Sequence, residues 1–214
     1  MGIANGQFMM EAGLSGVRAK TYRQRKLVFD TVPLDVTVTQ LKRDNKIPQQ
    51  KTHELNPSVI HCVQISPSYY RFLYLEVGRP YLWCERANLN DHELSTLIHD
   101  PTCKIYHMLV AGVPAGFFEI KDQGHKYFSL QYFGLVPQFV GKGLGPWLLN
   151  EAIGRMIHEG ASNLYVETCN LDHPKALLTY QKAGFIPYKR LKKSLHVPKD
   201  YPSQRWQSMF EKSE

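Results

Sequence analysis

The segment Val136-Pro-Gln-Phe-Val-Gly-Lys-Gly-Leu-Gly145 places three glycines around one lysine, between a strand-like and a helix-like stretch. A loop of this kind aims several backbone N–H groups at one point, beside the positive end of a helix dipole, which is the physics of an anion site. Glycines let the main chain approach the anion without a Cβ in the way. A nucleotide-binding Walker loop does not fit, because no glycine lies five residues before Gly141 and no Ser or Thr follows Lys142. A dinucleotide fingerprint does not fit either, since Pro146 stands where its third glycine belongs. Taken alone, the segment suits an ordinary tight turn as well as an anion cradle.

A second constellation follows. Ala176, Tyr180 and Gly184 are spaced four apart, so a helix carries them along one side. One carboxylate stands out for acid–base chemistry: Glu119, inside the apolar run Ala115-Gly-Phe-Phe-Glu-Ile120. Alternation puts Phe117 and Glu119 on one face of that strand and Phe118 and Ile120 on the other. Glu119 has two readings, a base acting through a water or a surface or salt-bridged carboxylate. Glu85, Glu167 and His125 are weaker base candidates. The nine histidines are scattered, and no metal cluster is visible.

Together, Gln138-x-x-Gly141-x-Gly143 and Ala176-x-x-x-Tyr180-x-x-x-Gly184-Phe185 resemble the two signature motifs of the GNAT N-acetyltransferase superfamily, over roughly residues 103–191. The resemblance implies that acetyl-CoA binds with its pyrophosphate on the glycine loop. Its contacts would be Gly134, Leu135 and Val136 on the preceding strand, then Gln138 and Val140. They continue through Gly141, Lys142, Gly143, Leu144 and Gly145, and end at His173, Ala176 and Tyr180. It also implies that an amine attacks the thioester directly, with Tyr180 protonating the leaving thiolate. Backbone N–H groups near Phe133–Val136 would stabilise the oxyanion beside a bulge, for which Gly134 is the candidate. The chain departs from the family where an Asn is usual and His173 stands instead. His173 either replaces that Asn or, like Asp172, caps the helix before Pro174.

The elements that must hold these groups read as follows. Val32–Leu41 is a strand and 42–58 a long loop. Pro67–Val77 and Asn90–His99 are helices, the second opened by Asn90 and Glu93 at capping-box spacing. Strands at Lys104–Ala111, Ala115–Ile120 and Tyr127–Val136 form an antiparallel set around turns at Gly112-Val113-Pro114 and Asp122-Gln123-Gly124. A helix at Gly143–Glu159, a strand at Asn163–Cys169, a helix at Pro174–Ala183 and a strand at Phe185–Leu191 complete the order. The fold class is α/β (α+β): a GNAT-like, mostly antiparallel sheet with one parallel βαβ unit and flanking helices. The chain divides into a basic arm, 1–30, and one domain, 31–214.

Composition narrows the remaining choices. Of 214 residues, 43% are hydrophobic and 12% aromatic, enough for a core and unlike a disordered chain. No apolar run reaches the roughly 20 residues of a membrane span, and no secretory signal is seen. Cys62, Cys84, Cys103 and Cys169 are widely spaced, which fits reduced thiols and a cytoplasmic location. The +7 charge gathers in Arg18–Lys26 and Lys189–Lys193, read as solvated surface because no base-reading motif accompanies it. No nucleic-acid or membrane partner is expected. The acceptor is read as a small-molecule amine in an aromatic site built by the N-terminal half, with Tyr81, Trp83 and Arg86 as candidates. A protein lysine or N-terminal acetyltransferase and a non-catalytic CoA-binding domain are the alternatives. The oligomeric state is open, a homodimer being one option.

Overall fold

The computed structural model describes residues 31–199. The basic arm 1–30 lies outside the described residues, as does the end of the chain. The strands are β1 (Thr31–Asp44), β2 (Ser58–His61), β3 (Cys103–Val110), β4 (Val113–Asp122), β5 (Tyr127–Leu135), β6 (Asn163–Cys169) and β7 (Ile186–Pro198). The helices are α1 (Pro67–Gly78), α2 (Asp91–Ile98), α3 (Leu144–His158) and α4 (Ala176–Lys182).

Local chemistry explains most boundaries. Ser66 accepts the Tyr69 N–H to cap α1, with Pro67 at the first helical position, where its missing N–H costs nothing. Asn90 and Glu93 form the expected reciprocal capping box on α2. The β3–β4 turn sits one residue earlier than its sequence suggests. Ala111 and Gly112 both take positive φ, the two-residue hairpin geometry, and Val113 already belongs to β4.

Seven strands form one sheet in the order β2-β3-β4-β5-β6-β1-β7. Every neighbouring pair is antiparallel except β5–β6, joined through α3 as a parallel crossover. Helices cover both faces. Tyr70 of α1 meets Phe117 edge-on, so α1 lies on the Phe117/Glu119 face. Phe118 stacks on Tyr106, over which Arg155 of α3 sits, so α3 lies on the other. The core between these layers is apolar and aromatic, with Tyr70, Leu73, Phe117, Phe118, Phe133 and Leu148 fully buried. Burial of such side chains is worth about 1.5–3 kcal/mol each and dominates folding.

Three expectations need correction. The stretch 42–58, read as a loop, contains the end of β1 and the first residue of β2, a strand whose four residues are too few to show alternation. The final strand runs to Pro198 because it pairs along nearly all of β1. Helix α4 begins at Ala176, since Pro174 stays in the turn.

Gly116 of β4 illustrates how tightly the sheet is fitted. A Cβ there would lie 2.5 Å from the Gly134 carbonyl oxygen, which is main chain and cannot swing aside. Gly116→Ala is expected to destabilise the protein by about 1–3 kcal/mol, read as a lower midpoint in urea denaturation.

Candidate active site at the divergence of two parallel strands

Strands β5 and β6 pair only from Tyr127 to Leu130 and from Asn163 to Val166. Beyond that point β6 continues against β1, with Glu167, Thr168 and Cys169 facing Gln40, Thr39 and Val38. On its other edge β5 continues against β4, but with a shift. Glu119 faces Tyr132 and Ile120 faces Leu130, leaving Gln131 as an extra residue. The bulge therefore falls at Gln131 and not at Gly134, which pairs regularly with Phe117. A bulge bends its strand and raises its twist, which carries the end of β5 away from β6.

The divergence leaves main-chain groups facing the gap. The Val136 N–H donates to the Ala115 carbonyl, so Val136 points at β4. Alternation then turns Gly134 the same way and leaves the N–H groups of Phe133 and Leu135 facing β6. Of the segment expected to supply an oxyanion donor, only those two are positioned for it.

Beside the gap lies a cleft of about 440 Å³, lined by Leu135, by Gly141, Gly143 and Gly145 of the glycine loop, and by His173, Lys175, Thr179 and Lys182 around α4. Gly141 and Gly143 have φ of +86° and +77°, values that disfavour any side chain. Gly143 caps α3 with backbone alone, leaving the first helical N–H groups available. Pro146 is the third helical residue, so its missing N–H belongs to the set that has no partner within the helix. Val140 also lines the cleft, whereas Gln138 is exposed on the turn Pro137–Phe139 and borders a separate depression. The candidate contact at Gln138 is thus displaced from the cleft.

The end of α4 fixes Tyr180. The Phe185 N–H reaches the Tyr180 carbonyl and the Gly184 N–H reaches that of Gln181, with Gly184 at φ +90°. This is a Schellman stop, and the ring contact between Tyr180 and Phe185 is its usual apolar clasp. Arg43 of β1 donates to the Ala183 carbonyl and ties the helix end to the sheet. Ala176 is 1% exposed, leaving no bulk at the helix start. The Tyr180 ring packs on Phe133 and is fully buried, and its hydroxyl has no hydrogen-bond partner among the described residues. Burial foremost, and the nearby Asp172, hold that hydroxyl in its protonated form well above the usual range. Leaving a hydroxyl so stranded costs about 1–3 kcal/mol.

His173 touches the cleft. Its Nδ1 accepts the Lys175 N–H, so it also organises the turn into α4, and both sequence readings describe part of what it does. Burial foremost lowers its pKa, with Lys175 acting in the same sense. Asp172 instead reaches back to β6, accepting from the Thr168 hydroxyl and the Cys169 N–H. It does not cap α4.

Glu119 does not serve as a water-linked base in this geometry. It is fully buried, one oxygen is 2.8 Å from the Arg86 guanidinium and the other accepts from the Tyr70 hydroxyl at 2.6 Å. Both oxygens are committed. Arg86 is correspondingly part of this network, with its guanidinium 5.3 Å above the Tyr132 ring. Trp83 packs among Tyr74, Phe117 and Tyr132 at 2% exposure and belongs to the core. Tyr81 alone of the three acceptor candidates stands near the cleft, edge-on to His173.

Sequence reading missed a strap formed by residues 45–57. His53 Nε2 lies 3.0 Å from the Lys142 carbonyl, Gln50 reaches Glu151, and the Trp147 indole donates to the Lys51 carbonyl. The strap thereby braces the glycine loop and the start of α3. It carries no periodicity or motif, and its partners are about ninety to a hundred residues distant, so nothing local signals it.

The model of the acetyltransferase (GNAT) family matches residues 63–185, and the chain belongs to that family. Among solved structures, it is similar to a putative GNAT acetyltransferase from Novosphingobium aromaticivorans, at 15% identity and TM-score 0.57 over 78% of this chain and 67% of that one. It is also similar to a functionally unknown conserved protein from Staphylococcus epidermidis, at 13% identity and TM-score 0.55 over 78% and 63%. A GCN5-related N-acetyltransferase from Sphaerobacter thermophilus gives 14% identity and TM-score 0.54 over 79% and 53%. The chain spans about half to two thirds of the length of these structures, and at such identities the likeness shows the fold. No curated protein matches the chain.

Replacing Glu119 by Gln leaves Arg86 buried opposite a neutral group, which is expected to cost about 3–5 kcal/mol of stability. A double variant, Glu119→Gln with Arg86→Met, should recover part of that loss in the same denaturation measurement.

Proposed function

We propose that the protein is an acetyl-CoA-dependent N-acetyltransferase whose acceptor is a primary amine of a small molecule. The observation that carries this reading is the stranded Tyr180 hydroxyl, buried beside the gap between β5 and β6 and next to the glycine cleft. A buried donor without a partner is a cost that the fold sustains, and a thiol or thiolate arriving in the gap would relieve it. The cleft suits the rest of that ligand. Glycine-loop and helix N–H groups, with Lys175 and Lys182, favour a pyrophosphate, and Leu135, Val140 and Leu178 favour an uncharged arm.

Acetyl-CoA supplies the thioester carbonyl that the amine attacks and the thiol that leaves. The residues of this chain do the rest. The unengaged edge of β5 accepts an extended arm as an added strand. The N–H groups of Phe133 and Leu135 are donors for the oxygen on which charge develops. The hydroxyl of Tyr180, kept protonated by its burial, gives its proton to the departing sulfur. Among the described residues no helix is long and apolar enough to cross a membrane. The four cysteines are free thiols, consistent with a reducing compartment.

Calorimetric titration with CoA tests the binding half. Wild type should bind. Gly143→Val should lose about tenfold or more in affinity, since a β-branched residue resists φ +77° and its Cβ would press on the His53 ring at 3.3 Å. Failure of folded wild type to bind CoA would overturn the proposal. Tyr180→Phe separates structure from chemistry. Without ligand it should be more stable than wild type by about 1 kcal/mol, because a stranded hydroxyl is removed. Its turnover in a thiol-release assay should fall on the order of 10²-fold.

A further inference from the structure

Resting on the acetyltransferase reading above, the geometry points to Glu85 as the residue that accepts the proton of the acceptor ammonium, which makes that acceptor a cationic alkylamine.

The cleft with α3 and α4 occupies one face of the sheet, so an amine reaches the β5–β6 gap from the face that carries α1. The segment Leu82–Arg86 crosses that face. Leu82 and Cys84 pack with Val36 and Val38 of β1, Cys169 of β6 and Val197 of β7. The Cys84 thiol approaches the His196 carbonyl. Residue 85 follows directly, and Arg86 turns in toward Glu119. Glu85 therefore lies on this face within electrostatic reach of Tyr132 of β5 and Lys193 of β7, and β6 and β1 run between those two strands. That location is the opposite mouth of the gap.

The carboxylates on this face differ in what they can do. Glu119 is sealed by Arg86 and Tyr70. Glu167 is 5% exposed, with one oxygen held by Gln40 at 2.6 Å and the other by Lys193 at 3.1 Å. Glu85 is exposed and has no hydrogen-bond partner among the described residues. It is the one of the three whose oxygens are not already engaged. Crowding by protein raises its pKa above the ordinary carboxylate value, while Arg86 and Lys193 oppose the rise. The other titratable groups around it are Tyr74, Tyr132 and Cys84, all pushed upward by burial and so uncharged at neutral pH. A carboxylate raised toward neutrality is a better base for an ammonium than an ordinary one.

The protons balance. An alkylammonium gives its first proton to Glu85, which passes it to water, and the freed lone pair forms the C–N bond as the C–S bond breaks. The second nitrogen proton replaces the one that Tyr180 delivers to sulfur. The sum is an amide, a free thiol and one proton released.

Two amines of different basicity test this. Benzylamine is protonated at pH 7 and needs a base, whereas hydroxylamine is already neutral there. Thiol release from acetyl-CoA, corrected for the uncatalysed rate, is measured for wild type, Glu85→Gln and Glu85→Asp. CoA titration of each confirms an intact cofactor site. Glu85→Gln should lower kcat/KM for benzylamine on the order of 10²-fold and leave hydroxylamine within about twofold. Glu85→Asp should restore part of the loss. The acid limb of the wild-type benzylamine profile should disappear in Glu85→Gln. Equal losses with both amines, or no loss with either, would overturn the assignment. So would variants and wild type that bind CoA yet release thiol with neither amine. Absence of CoA binding in wild type is a separate result, and it would remove the acetyltransferase reading itself.

Discussion

A carboxylate cannot remain buried in an apolar layer without a counter-charge, and Glu119 meets that requirement at the one place where the sheet is irregular. Arg86 and Tyr70 close on its two oxygens from the segment after α1 and from α1 itself. Glu119 is also the last β4 residue in register before the shift that leaves Gln131 unmatched in β5. The network thus clamps the helical layer onto the bulge. Breaking a buried pair of this kind exposes an uncompensated charge to low dielectric, so the clamp has little freedom to relax. A side chain that looks like a catalytic base in the sequence works as the anchor of the strand on which the gap depends.

From that anchor the rest follows by geometry. The bulge bends β5 away from β6, and the parallel ladder stops after four residue pairs. Where the two strands part in mid-sheet, the β5 edge turns the N–H groups of Phe133 and Leu135 toward the gap, and buried main-chain donors of this kind call for a partner. The gap is bounded by the glycine loop on one strand and by the turn into α4 on the other, both rich in backbone N–H groups. The extended, amide-bearing, anionic ligand proposed above would satisfy the gap and the cleft together.

Much of the support for this arrangement comes from outside the matched family segment. Strand β1 fills the place between β6 and β7 and supplies Arg43, which holds the end of α4. The strap after β1 supplies His53 and Gln50, which brace the glycine loop and α3. Tyr180 is therefore fixed from three sides: by its own Schellman stop, by Phe133 of the sheet, and through Arg43 by the first strand.

The sequence by itself determined whatever depends on local spacing. Helices α1, α2 and α3 were legible because apolar period, Asn90 and Glu93, Gly160 and the prolines all act within a few residues. The glycine loop and the Tyr180 helix were legible for the same reason, since φ freedom and a fourfold spacing are local properties. Tertiary structure decided what depends on partners far along the chain. Nothing around Thr31–Asp44 announces that it inserts between β6 and β7, because strand pairing is a choice among distant edges. The bulge fell at Gln131 and not at Gly134, because register is set by β4 and not by the residue with the freest backbone. Glu119 proved to be an anchor because Arg86 and Tyr70 converge on it from 33 and 49 positions away. Glu85 and Glu119 are chemically the same side chain, and their separate roles exist only once the fold has buried one and left the other at the mouth of the gap.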